Sequence, residues 1–163
     1  MNESKLILVL GDQLSFNQPA LKQAEPRRDS ILLAEVAEEA TYARHNRHKI
    51  ALLFAAMRHF RVELETLGYD VHYIAIDEGV ASLEVAVRNV LVQTAATEVV
   101  VCEPGEYRLV HQMRNLWSSS LGVPVTVLED DRFLASHDDF ELWARGKKPV
   151  SYTHLRAHET GIN

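Results

Sequence analysis

A single cysteine, Cys102, stands among the 163 residues of this chain. One thiol cannot close a disulfide within the chain or supply a cysteine-ligated metal cluster, and a reducing, cytoplasmic setting suits such a protein. No apolar run approaches the roughly 20 residues that a membrane-crossing helix needs. The run nearest the N-terminus, Leu6-Ile7-Leu8-Val9-Leu10, is short and has no small-residue cleavage site after it, which argues against a targeting signal and a membrane partner. Positive charge is also scarce. Lys and Arg number 17 against 23 Asp and Glu, a formal net charge of -6, so the chain as a whole does not attract nucleic-acid phosphates. One local basic stretch remains, Arg44-His45-Asn46-Arg47-His48-Lys49. Neither G-x-G-x-x-G nor a P-loop occurs. Gly11-Asp12-Gln13-Leu14 lacks the spacing that lets backbone approach a pyrophosphate, which argues against an NAD-dependent dehydrogenase or an NTPase. The histidines show no cysteine or carboxylate pattern of a zinc site, and no internal repeat or low-complexity linker is present.

What is there is an alternation of β-rich runs with helical periodicity. Hydrophobic residues make up 47% and charged residues 25%, ordinary for a globular chain long enough for one domain with a core. Continuous apolar runs predict strands buried on both faces at Leu6–Leu10 and Ile31–Val36, and Val71–Ile76, Val99–Cys102 and Val123–Leu128, broken only by Pro124, read as three further strands. Between them, Ile50, Leu53, Phe54, Met57, Phe60, Leu64 and Leu67 recur at helical spacing from about His45, and Gly68 sits where a left-handed cap would close the helix. Ser82 to about Thr94 reads as another helix. Leu109, Val110, Met113, Leu116 and Trp117 form a further stripe, closed by Gly122. This pattern predicts an α/β fold, a doubly wound five-stranded parallel sheet with helices on both faces and with Met57 and Met113 packed against it. Ligands in such sheets bind beyond the carboxyl ends of the strands.

The last residues stand apart. Val150-Ser151-Tyr152-Thr153-His154-Leu155-Arg156-Ala157-His158-Glu159-Thr160 matches, without a mismatch, the translation of a transposon-end adapter used in sequencing libraries. Gly161-Ile162-Asn163 then reads as run-on into the following index. The expectation is a native domain over residues 1–149, a reading frame cut near Pro149, and a non-native tail over residues 150–163 that makes few contacts with the core.

Several polar residues fall at the predicted carboxyl edge. Asp12 and Gln13 could hydrogen-bond the edge of a heterocycle, or equally form a strand-ending turn. Glu35 lies inside an apolar run, so its carboxylate needs a partner. Glu38, Glu39 and Tyr42 fit either a binding cluster or the solvated first turn of a helix, where acidic residues suit the dipole. Glu103-Pro104-Gly105-Glu106 joins a strand to a helix, and capping suffices to explain it. A small enzyme using Glu35 and Glu39 as acid and base is a further possibility, whose mark would be a raised carboxyl pKa. From the residues alone the reading is an α/β domain with a polar pocket at the sheet's carboxyl edge.

Taken together, Leu8-Val9-Leu10-Gly11-Asp12-Gln13-Leu14, Ala37-Glu38-Glu39-Ala40-Thr41-Tyr42, His48-Lys49-Ile50-Ala51, Ala56-Met57-Arg58-His59-Phe60, Glu103-Pro104-Gly105-Glu106-Tyr107-Arg108 and Asp131-Arg132-Phe133-Leu134-Ala135-Ser136-His137 resemble, in this order, the N-terminal domain of deoxyribodipyrimidine photolyase-related proteins. These are the bacterial iron–sulfur cryptochromes and photolyases, a branch that includes prokaryotic (6-4) photolyases. The resemblance runs from Lys5 to Lys148. It implies that this domain holds a light-harvesting antenna, a ribityl-lumazine. It further implies that FAD, a four-cysteine [4Fe–4S] cluster and the contact with damaged DNA belong to a C-terminal half not present here. Carried over by position, the antenna pocket involves Gly11, Asp12, Gln13, Glu35, Glu39, Tyr42 and Leu53, with Glu103 and Glu106 nearby. Asp12, Gln13, Glu39, Tyr42 and Leu53 are expected to converge on one cleft, with Glu35 and Glu106 on its rim. No residue is expected to be catalytic or to bind metal. The rival from another class is a stand-alone nucleotide-binding regulatory α/β module.

Overall fold

The computed structural model describes residues 4–147. The stretch from Val150 onward that the adapter reading sets apart lies outside the described residues. The chain divides into two units, Met1–Arg132 and Phe133–Asn163.

The first unit is a five-stranded, all-parallel sheet. Its strands are β1 (Ser4–Leu8), β2 (Ser30–Ala34), β3 (Asp70–Ile74), β4 (Ala96–Cys102) and β5 (Val125–Leu128), in the order β3-β2-β1-β4-β5. The expected architecture is therefore present. Among the described residues six α-helices and one short 3-10 helix (Ile76–Glu78) connect the strands: α1 (Pro19–Lys22), α2 (Ala37–Thr41), α3 (Arg47–Thr66), α4 (Leu83–Gln93), α5 (Tyr107–Asn115) and α6 (Trp117–Leu121). Successive side chains of a strand point to opposite faces, and the core divides accordingly. Leu6, Leu8, Leu32, Val99 and Val101 pack with Val87 of α4, Met113 of α5 and Trp117 of α6. Ile7, Val9, Ile31, Leu33, Val100 and Cys102 pack with Leu21 of α1 and with Met57, Phe60 and Leu64 of α3. Because both faces are covered there, the runs Leu6–Leu10 and Ile31–Ala34 are apolar throughout. Each fully buried Leu, Ile or Met contributes about 1.5–3 kcal/mol.

The local signals explain the helix ends. Asn46 Oδ1 accepts from His48 N–H at 2.8 Å at the start of α3, and Ser82 Oγ accepts from Val85 N–H at 3.3 Å at the start of α4. Gly68 and Gly122 take positive φ angles of 87° and 74° just past α3 and α6. The stripe expected as one helix from Leu109 is two, α5 and α6, separated at Leu116. β5 begins after Pro124, which has no N–H to give the ladder, while its carbonyl still accepts from Val99 N–H at 2.9 Å.

Among its described residues the second unit carries one helix, α7 (His137–Ala144). Ser136 Oγ accepts from Asp139 N–H, and Asp139 Oδ2 accepts from Ser136 N–H, both at 3.0 Å, a reciprocal cap. No helix among the described residues is long and apolar enough to cross a membrane.

Candidate functional site

The strand order reverses between β1 and β4, which are neighbours although distant in sequence, and loops diverge there at the carboxyl edge. A cleft of about 400 Å³ opens at that place. The loop after β1 supplies Leu10, Gly11 and Asp12. The segment after β2 supplies Glu39, Ala40, Tyr42 and His45. The loop after β4 supplies Pro104, Gly105 and Glu106. One stripe of α3, Lys49, Ile50, Leu53 and Met57, closes the apolar side together with Leu109 of α5.

Each position follows from local structure. Gly11 has no side chain where α3 comes close. A Cβ there would stand 3.0 Å from Met57 Sδ and 3.2 Å from Leu53 Cδ2. Glu39 lies in the first turn of α2, and Tyr42 follows its last residue, its N–H bonded to Glu38 O at 2.9 Å. Glu106 immediately precedes α5, and its carbonyl accepts from Val110 N–H at 3.1 Å.

The cleft's polar rim is organised by Arg108. Its guanidinium donates to Glu38 Oε1 at 2.9 Å, Glu39 Oε1 at 2.7 Å and Glu106 Oε1 at 2.9 Å. The guanidinium carbon also lies 5.0 Å from the centre of the Tyr42 ring, within cation–π range, and the His45 ring meets the same tyrosine edge-on at 5.1 Å. The negative charge of Glu106, then partial burial and the charge of Glu39, push the Tyr42 phenol above its ordinary value.

Gly11, Asp12, Glu39, Tyr42, Leu53 and Glu106 are thus brought together around one cleft. Gln13, Glu35 and Glu103 are not among its lining residues. Gln13 is buried, and its Nε2 donates to Glu103 O at 2.8 Å, tying the loop after β1 to the end of β4. Glu103 is nearly buried and pairs with Arg114 of α5. Glu35 is fully buried. It accepts Arg58 Nε at 2.7 Å, Arg58 Nη2 at 2.8 Å, the Tyr73 hydroxyl and Ile76 N–H at 3.0 Å. Burial pushes its carboxyl up, and these hydrogen bonds outweigh burial and hold it below the usual carboxylate range. The raised carboxyl that would mark an acid–base pair does not occur at Glu35.

Sequence reasoning assigned no role to Arg58 or Arg108, and singled out His45 and Lys49 only as members of the basic stretch Arg44–Lys49. The only available signals were their places within the quoted strings. Arg108 lies two residues after Glu106, while Arg58 lies 23 residues from Glu35, a separation that no local period links.

Residues 7–156 match the family of deoxyribodipyrimidine photo-lyase-related proteins. The chain is also 39% identical over 165 residues to a (6-4) photolyase of Agrobacterium fabrum (strain C58 / ATCC 33970), an alignment covering 98% of this chain and 32% of that protein. The chain therefore spans about a third of the length of this relative.

Proposed function

The chain belongs to the deoxyribodipyrimidine photo-lyase-related protein family, and from that premise we propose that its α/β unit binds the antenna chromophore of a light-driven DNA repair enzyme or of a photoreceptor relative. The observation that carries this reading is the cleft itself, where Leu53 and Met57 form an apolar wall beside the hydrogen-bonding groups of Asp12, Glu39, Tyr42 and Glu106. A flat heterocycle with a polyol chain needs that combination. Its rings bury against aliphatic side chains, and its N–H and O–H groups find carboxylate acceptors. The volume of about 400 Å³ lies within the range of small-molecule pockets. A ribityl-lumazine fits this description.

The rival nucleotide-binding module is less well supported. A phosphate entering the cleft would meet the carboxylates of Asp12, Glu39 and Glu106 in its lining, and like charge opposes it. In the reading proposed, FAD, a [4Fe–4S] cluster and the contact with damaged DNA belong to the part of the longer protein outside this chain. Residues 1–149 are then the antenna-binding domain. The adapter reading of residues 150–163 stands against a family match that runs on to residue 156, and resequencing the source DNA across Pro149 decides between them.

The test of function is titration of the chain with 6,7-dimethyl-8-ribityllumazine, followed by the ligand's fluorescence, for the wild type and Leu53→Trp. Saturable binding that Leu53→Trp abolishes, in a variant that melts cooperatively, supports the reading. Equal binding by both proteins puts the antenna elsewhere, and tighter binding of ATP or AMP than of lumazine favours the rival.

A further inference from the structure

Glu39 and Tyr42 face the cleft from a weak support. α2 has only five residues, no side-chain hydrogen bond at its N-terminus and no buried residue. Its start is tied to the loop before α4 by two backbone hydrogen bonds, Ala37 N–H to Val80 O at 3.4 Å and Glu38 N–H to Ala81 O at 3.0 Å. An isolated helix of this length has no stability of its own. The strands preceding α2 and α5, β2 and β4, are not neighbours, since β1 lies between them. No direct strand pairing therefore joins the two segments that carry Glu39 and Glu106.

Arg108 spans that gap. It is not among the lining residues, yet one guanidinium donates to two carboxylates of α2 and to the carboxylate of Glu106, and packs on the Tyr42 ring. A planar fork of five N–H donors can serve three acceptors at once, whereas an ammonium is a point charge that cannot span them. All four charged side chains are partly buried, between 27% and 38% exposed, so water screens them incompletely. Three carboxylates against one guanidinium also means that loss of Arg108 would leave like charges facing one another across the cleft.

We propose that Arg108 is the positioning residue of the cleft, fixing Glu39 and Tyr42 against Glu106 and so setting the spacing of the hydrogen-bonding wall without touching the ligand. The inference rests on the reading of the cleft as a ligand site.

The experiment compares binding of 6,7-dimethyl-8-ribityllumazine by the wild-type chain, Arg108→Met, Arg108→Lys and the double variant Arg108→Met/Glu38→Gln. Arg108→Met should weaken binding by about tenfold to a hundredfold, the loss expected when charge-assisted hydrogen bonds stop holding the acceptors in place. Arg108→Lys should fall between it and the wild type. Two further readings separate positioning from a general structural role. Glu38 does not line the cleft, so adding Glu38→Gln to Arg108→Met should recover part of the affinity by removing one repelling charge. Raising salt from about 0.1 M to about 1 M, which shortens the screening length from about 10 Å to about 3 Å, should also recover part of it. Should Arg108→Met fail to fold, Arg108→Lys carries the same salt comparison. Wild-type affinity in Arg108→Met overturns the proposal, as does a loss that neither salt nor Glu38→Gln relieves. A wild-type chain that does not bind the probe at all removes the cleft reading and this inference with it, a result distinct from binding that ignores Arg108.

Discussion

Arg58 of α3 grips Glu35, the residue after β2, through two parallel hydrogen bonds of 2.7 and 2.8 Å. The carboxylate is fully buried, whereas the guanidinium side chain is 56% exposed, so the pair brings a solvated cation to a desolvated anion. Tyr73 of β3 and Ile76 N–H complete the shell. Glu35 thereby fastens β2, β3 and α3 together at Arg58, the residue after Met57, and its contribution is to the frame on which the cleft is built.

Glu35→Gln should lower stability by about 1.5–3 kcal/mol, because it replaces hydrogen bonds to a charged acceptor with bonds to a neutral amide that also brings a donor needing a partner. Urea unfolding followed by circular dichroism measures it as a lower midpoint at constant slope. An unchanged midpoint would mean that the cluster is not a structural fastening.

Acid should act on the same group. The folded-state carboxyl of Glu35 lies below its ordinary value, and so does that of Asp29, where burial is outweighed by Arg28 and by the backbone N–H groups of Glu25 and Lys5. A depressed carboxyl contributes stability that is fully present above the unfolded-state pKa and is lost as pH falls through the folded-state value. The unfolding free energy of the wild type should therefore drop below about pH 4.3, the ordinary glutamate value. Glu35→Gln should show a shallower drop over the same range. Parallel pH profiles for the two proteins would contradict the assignment.

Cys102 at the end of β4 is fully buried, and burial, with Asp130 adding to it, pushes its thiol up to about 11. At neutral pH it should be an inert, apolar part of the core. Ellman's reagent is expected to leave the native chain unmodified and to titrate one thiol in denaturant. Fast labelling of the native protein would show that the end of β4 opens.

Gly11→Ala tests the close approach of α3. The added Cβ would meet Met57 Sδ at 3.0 Å and Leu53 Cδ2 at 3.2 Å, and both must move. A destabilisation of about 1–3 kcal/mol is expected, as for other overpacked sites. Weaker lumazine binding should accompany it, since Leu53 belongs to the cleft wall. A variant as stable as the wild type, with unchanged binding, would show that α3 is not seated as described.

The strands and the larger helices were legible in the sequence because each depends on a period within one segment. Leu6, Leu8 and Leu10 pack on one face of the sheet and Ile7 and Val9 on the other, so a strand covered on both sides had to read as an unbroken apolar run. Gly68 and Gly122 marked helix ends because only a residue without Cβ takes their positive φ at no cost. The separation of α5 from α6 at Leu116 was not legible, since Leu109, Met113 and Trp117 keep the same buried face across it. The partners of the carboxylates were beyond reach for a different reason. Glu35, Glu39 and Glu103 all look alike as acidic residues near strand ends. Only the strand order decides that Glu39 meets an arginine 69 residues away at a cleft, while Glu35 is closed in by α3 and β3. A period tells which face of an element is buried. What lies against that face depends on which elements become neighbours, and that is decided by the packing of the whole sheet.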